Sequence, residues 1–332
     1  MLLAIWTTAA VHGLTVAITG SSQGIGLSAA KTLISQGHTV IHACRNMERA
    51  EAACAGAGGG VPMVCDLADF ASIRRFADDV KRTAPVLDVL CLNAAVAPST
   101  KAEVPKRTAE GFEEAIGVNH IGHFLLATLL QPHLSSCKGG AKRLVVTASS
   151  VHDPDQPGGA VGGKSGATLG DLAGFAATSG SMVMADGATE YDGSKVYKDS
   201  KLCNMLFCRE AQKRWGSSGE LAIRSFSPGF IPASGLFREP RKDNWLAATA
   251  FAFAAEKLIG IAVPIDVGGD RLAYMATASD ADVPSGSYFS APTAAKGFSR
   301  ADGFTDGAIS AEASDDAKAL KLWELSMKAI GM

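Results

Sequence analysis

The chain has 332 residues, 47% of them hydrophobic and 19% charged, which is enough to bury a sizeable core and excludes a disordered polyelectrolyte. Lysine plus arginine (31) nearly balances aspartate plus glutamate (33), a formal net charge of −2 that argues against a broad basic surface for nucleic acid. Seven cysteines without a C-x-x-C pair argue against a disulfide framework or zinc ribbon and favour a reducing compartment.

Residues 1–13 are apolar but lack a basic n-region, and a strand follows at Leu14; no intact signal or transit peptide is read there. Leu14–Gly20 reads as a buried strand, with a helix from about Gly24 to Gln36. Further strands are expected at His38–Arg45, Val61–Leu67, Leu87–Asn93, Arg143–Ser149 and Leu221–Gly229. The stretch Asp69–Arg82 sets Phe70, Ile73, Phe76, Ala77 and Val80 on one face at helical spacing. Long helices are expected over about Glu110–Leu134 and Asp192–Trp215. This alternation predicts an α/β, doubly wound Rossmann fold with a mostly parallel sheet and helices on both faces. Between Val151 and about Ala188 the periodicity fails, as expected of a stretch that is either functional or disordered. An apolar helix is expected within 232–264, another helix at Asp266–Ser279 and a last strand at Gly286–Ser290. The tail from Ala311 reads as a docked amphipathic helix with Leu320, Trp323, Leu325 and Ile330 among its charges. The apolar run Trp245–Ala255 is too short to span a bilayer; it suits a core helix as well as a cover over a large apolar ligand. One domain over 1–332 is preferred, with 151–190 as insertion and 232–264 as a substrate-covering segment.

Three motifs carry the chemistry. TGSSQGIG (Thr19–Gly26) joins the first strand to the first helix, and Gly20, Gly24 and Gly26 allow a pyrophosphate to approach the backbone. Ser22 and Ile25 lie in the same loop and belong to the expected contact set. The second strand ends Cys44-Arg45-Asn46, with no acid to bind a ribose 2′-hydroxyl; Arg45 suits a 2′-phosphate, hence NADPH rather than NADH. Tyr197 and Lys201 are spaced i,i+4 on a helix, so both face one way. The ammonium is expected to lower the phenol's pKa and ease proton transfer. His120 and His123 are read as packing near the cofactor site, with no metal, and Cys203 as a packed thiol.

Together these residues resemble the short-chain dehydrogenase/reductase superfamily across nearly the whole chain. The resemblance implies adenine contacts at Asp66 and Leu67 and a nicotinamide wall at Asn93-Ala94-Ala95. It implies that Asn119 supports a proton relay and that Pro228-Gly229 is the turn beside the nicotinamide. It also implies a catalytic serine at Ser149 or Ser150, with the count from Arg143 favouring Ser149. TLGDLAGF, YKDSKLCNML, SGLFRE and EASDDAKALKLWE further resemble the light-dependent protochlorophyllide oxidoreductase family. That likeness implies NADPH, a tetrapyrrole substrate reduced at its ring D double bond in light, and residence in a chloroplast or plastid. Tyr197 would be proton donor or substrate anchor, steadied by Lys201. The chain departs from that family's Tyr-Pro-Gly-Cys turn: it has Ser227-Pro228-Gly229-Phe230, and Phe230 can pack on a flat macrocycle but cannot donate a proton. A light-independent NADPH-dependent carbonyl or retinol-type reductase, and a non-catalytic pigment- and NADPH-binding protein, stand as alternatives. Peripheral membrane contact and homo-oligomer formation are left open.

Overall fold

A computed structural model describes residues 13–136, 142–160, 166–176, 180–237, 262–292 and 297–332. The expected apolar helix within 232–264, including Trp245–Ala255, therefore falls mostly outside the described residues, as does most of the leading segment 1–13.

The strands are β1 (Thr15–Thr19), β2 (Thr39–Cys44), β3 (Val61–Val64), β4 (Val89–Leu92), β5 (Lys142–Thr147), β6 (Leu221–Phe226), β7 (Tyr288–Ser290) and β8 (Thr305–Asp306). They form one sheet in the order β3-β2-β1-β4-β5-β6-β7-β8. All pairings are parallel except β7 with β8. The strand expected to be last is thus followed by another; β8 is only two residues long and carries no periodic signal of its own. The central strands β4, β5 and β6 are buried along their whole length, the pattern of a parallel sheet covered on both sides.

The helices are α1 (Gly24–Ser35), α2 (Met47–Ala57), α3 (Phe70–Thr83), α4 (His123–Ser136), α5 (Gly193–Ala211), α6 (Ile265–Thr277) and α7 (Asp316–Ala329). On one face Ala29, Ala30 and Leu33 of α1 and Leu272, Ala273 and Ala276 of α6 pack on Val16, Ile18, Val89 and Val145. On the other face α3, α4, α5 and α7 share a larger core with Ala17, Leu90, Leu144 and Ile223. The expected helix over Glu110–Leu134 is compound: a turn at Glu114–Ile116, a wider π-turn at Gly117–Gly122, and only then α4. Side-chain periodicity cannot reveal that change of winding.

The insertion is irregular as expected, yet much of its described part is anchored. Leu169, Leu172, Phe175, Met182 and Met184 are buried in the larger core. Buried Asp199 of α5 accepts the Thr168 N–H (3.0 Å), and Lys195 bridges Asp199 (2.6 Å) and Asp186 (2.9 Å). The Leu169 N–H is donated to Glu312 beside α7 (2.8 Å), so the insertion, the α5 helix and the tail hold one another.

The tail docks through a face partly different from the expected one. Ala319, Leu322, Trp323 and Ser326 are buried on α7, and Ile330 just beyond it, whereas Leu320 is exposed and Leu325 only half-buried. Trp323 meets Phe124 and Trp215 edge-on, each at 4.9 Å between centroids, and the Arg214 guanidinium lies over it. Replacing Trp323 by Ala removes the centre of this cluster. The Trp323→Ala protein should lose about 3–5 kcal/mol of unfolding free energy in a urea titration.

Candidate active site

Strand order reverses between β1 and β4, since β1 pairs with β2 on one side and β4 on the other. In open α/β sheets ligands bind in the crevice at such a reversal, beyond the carboxyl ends of the strands. The residues singled out in the sequence lie past the carboxyl ends of β1 to β6 or on the helices beside them.

At the β1 end, Gly20 has φ +69°, and a Cβ on it would lie 2.9 Å from the Ala94 Cα. A Cβ on Gly26 would lie 2.6 Å from the Gly20 carbonyl and 2.7 Å from the Asn93 amide. Only glycine permits this closeness, which brings the loop, α1 and the β4 end into one cradle. Gln23 is the N-cap of α1 but its side chain does not cap the helix N–H groups, and no acid lies in the first turn. The helix therefore presents free N–H groups and uncompensated positive potential to the crevice. Ser22 and Ile25 are half-buried in the same loop. Arg45 stands exposed just past β2. Asp66, after β3, accepts the Ala68 N–H (3.0 Å), and Leu67 is buried beside it.

Thr19 ties this cradle together. Its hydroxyl accepts the Asn93 and Ala94 N–H groups (2.8 and 3.0 Å), while the Asn93 side-chain amide donates to the Thr19 carbonyl (2.9 Å). Asn119 lies fully buried in the π-turn; its side chain accepts the Val96 N–H (2.8 Å) and donates to the Val96 carbonyl and to Ser200 Oγ (both 2.9 Å). Ser200 Oγ donates in turn to the Tyr197 carbonyl (2.7 Å).

Tyr197 and Lys201 sit one turn apart on α5, the Lys201 ammonium 5.7 Å from the phenol ring centroid. Lys201 is 2% exposed and donates to the Thr147 carbonyl at the β5 end (2.9 Å). Burial lowers its pKa to about 8. The expected lowering of the Tyr197 pKa is not found: desolvation raises it, and the side chain rests as a neutral phenol. The half-buried Ser149 hydroxyl accepts the Val151 N–H (3.4 Å) and caps the next turn; the Ser150 N–H instead reaches Ser227 Oγ (3.3 Å). Ser227 also accepts the Gly229 N–H (3.4 Å) and is 3% exposed, so its hydroxyl serves the turn rather than the crevice. Phe230 is half-buried at the same end.

Sequence reasoning passed over several contributors. Arg271 of α6 is 1% exposed; it donates to the Pro228 carbonyl and to the Gly297 carbonyl (both 2.8 Å) and so fixes the Pro-Gly turn. Its one sequence signal is a lone cation in an apolar helix. Thr147, the Lys201 partner, carries no signal. His120 and His123 point to different partners, Ser326 Oγ of α7 and Thr19 Oγ1 of β1, each at 2.9 Å. No group of three or more metal-ligating side chains occurs among the described residues.

A family profile for short chain dehydrogenases matches residues 14–165. Protochlorophyllide reductase A, chloroplastic, of Oryza sativa subsp. japonica is 38% identical over 326 residues, covering 96% of this chain and 80% of that protein. Protochlorophyllide reductase of Avena sativa is 39% identical, covering 96% of this chain and 99% of that protein. Among solved structures, an uncharacterized protein from Mycobacterium paratuberculosis superposes with a TM-score of 0.68 at 26% identity, covering 96% of this chain and 94% of that one. The 3-ketoacyl-(acyl-carrier-protein) reductase of Brucella melitensis, at 17% identity and a TM-score of 0.60, covers 84% of this chain and 96% of its own and shares the fold.

Burial lowers the pKa of His120 and of His123 to about 3. The unfolded chain binds those protons near the ordinary value of about 6.5, so between pH 6.5 and 3 it holds more protons than the folded one. Stability should be fully retained above pH 6.5 and fall as the pH drops toward 3. Thermal melts across that range should show the decline, and His120→Phe should flatten it.

Proposed function

The chain belongs to the protochlorophyllide reductase family of short-chain dehydrogenases, and we propose that it is a light-dependent NADPH:protochlorophyllide oxidoreductase. It would reduce the ring D double bond of protochlorophyllide to give chlorophyllide in chlorophyll biosynthesis, in a plastid. What carries the reading is likeness to named reductases along 96% of the chain, joined to a phenol and an ammonium at the crevice.

The crevice fits NADPH. Gly20 and Gly26 leave the loop no side chain to bar a phosphate, and the α1 start offers unclaimed N–H groups. In this reading Gly20–Gly26, with Ser22, Gly24 and Ile25, hold the pyrophosphate. Arg45 holds the 2′-phosphate, and Asp66 and Leu67 the adenine. Asn93, Lys201 and the Pro228-Gly229 turn shape the nicotinamide end. When bound, NADPH supplies the hydride. Tyr197, kept protonated by burial, supplies the proton that completes saturation of the double bond and is recharged from solvent. Lys201 steadies the phenolate left behind, and its own pKa of about 8 keeps it charged at neutral pH. Asn119 holds the Tyr197 turn in place through Ser200. Ser149 lines the β5 end. A flat tetrapyrrole needs a wide apolar pocket; in this reading the whole chain acts as one domain and Phe230 packs on the ring.

Mixing the protein with NADPH and protochlorophyllide and comparing flashed with dark samples by absorption tests this. Chlorophyllide should form only after light; dark turnover of aldehydes would instead mark a carbonyl reductase, and a pigment red-shift without turnover a binding protein. Tyr197→Phe should cut turnover about 100- to 10,000-fold while sparing NADPH binding. Arg45→Ala should weaken NADPH roughly ten- to a hundredfold and leave NADH nearly unchanged in fluorescence titrations; equal losses would refute the 2′-phosphate role.

A further inference from the structure

His123 is 3% exposed and has a hydrogen-bond partner on each ring nitrogen. Nδ1 lies 3.1 Å from the main-chain carbonyl of Asn119, a group without a proton, so Nδ1 must carry the hydrogen. Nε2 is then an acceptor, and the Thr19 hydroxyl 2.9 Å away donates to it. The other acceptor within reach of Thr19 Oγ1, the Cys91 carbonyl, is farther at 3.3 Å. With its hydrogen committed to the imidazole, Thr19 Oγ1 turns its lone pairs toward the N–H groups of Asn93 and Ala94, at 2.8 and 3.0 Å. This tautomer satisfies both ring nitrogens and the Asn93 and Ala94 N–H groups, and leaves unmade only the longer contact to the Cys91 carbonyl. The chain of contacts runs from Asn93 and Ala94 through Thr19, His123 and Asn119 to Ser200 and the Tyr197 carbonyl. It joins α5 to the β1–β4 cradle, alongside the link that Lys201 makes through Thr147 to Asn93.

We propose that His123 is a positioning residue: as a neutral imidazole protonated on Nδ1, it ties the cofactor strand at Thr19 to the Asn119 turn and so sets the distance between the nicotinamide wall and Tyr197. This rests on the reading of the crevice as a coenzyme site. The neutral state agrees with burial and with the nearby Lys201 charge, both of which oppose a second proton on the ring. His120, three residues earlier and equally buried, joins α7 instead and has no part in the set.

The test compares His123→Phe, which keeps the volume but loses both bonds, with His123→Gln, whose carbonyl can still accept from Thr19. His120→Phe serves as control. Below the melting temperature of each variant, His123→Phe should raise the NADPH dissociation constant roughly tenfold and lower turnover at saturating NADPH. His123→Gln should recover most of both, and His120→Phe should lose stability while binding NADPH as before. Nitrogen NMR of labelled imidazoles, assigned by difference with His123→Gln and recorded without coenzyme, should show His123 protonated on Nδ1 alone from pH 8 to 5. NADPH binding by His123→Phe equal to the wild type, or a ring protonated on Nε2, overturns the proposal. Should the wild type itself fail to bind NADPH, the coenzyme reading falls, and the tautomer still decides the role of the imidazole in the fold.

Discussion

A lysine ammonium buried against a main-chain carbonyl sets the terms for this site. Lys201 is 2% exposed, and its partner is the Thr147 carbonyl rather than a carboxylate. Removing a full charge from water without a counter-ion is costly, and the fall of its pKa to about 8 expresses that cost. The bond to Thr147 is therefore one that the fold cannot easily give up. It fixes the register of α5 on the end of β5, and the phenol of Tyr197, one turn earlier, is placed by the same constraint. Thr147 also donates through its hydroxyl to the Asn93 amide oxygen (3.4 Å), so β4, β5 and α5 are assembled around a single point.

Much of this was legible in the chain. Seven strands and the helices after Gly24, Asp69 and Asp192 stand where the residue pattern places them, with ends shifted by a few residues. The glycine loop stands past β1, Asn119 bonds to Val96 past β4, Lys201 of α5 reaches the β5 end and the Pro228-Gly229 turn follows β6, positions that the doubly wound topology dictates. Local spacing suffices where the fold does the rest.

What escaped has a common cause: it depends on partners far apart in sequence, or on burial. The π-turn at Gly117–Gly122 widens the helix so that Asn119 can bond sideways to Val96 and Ser200, and nothing in the residue pattern announces a change of winding. Arg271 reaches back 43 positions to the Pro228 carbonyl. Leu320 looked as apolar as Trp323, but the buried face of the tail helix is the one that carries Ala319, Leu322 and Trp323, with Trp323 stacked on Phe207. The sign of the Tyr197 shift failed for a related reason. Spacing revealed the neighbouring ammonium, whereas the desolvation that outweighs it comes from everything packed around the ring.

That reversal bears on the chemistry more than the placement does. A phenol depressed toward neutrality would spend part of its time ionised and unable to give a proton. Desolvation favours the protonated phenol instead, so the group keeps a proton to give. Of the neighbouring groups at this end, Phe230 has no proton to give, and the Ser227 hydroxyl accepts the N–H groups of Ser150 and Gly229. In the proposed reaction Lys201, 5.7 Å from the ring centroid, would be placed to stabilise the negative charge left when Tyr197 gives up its proton.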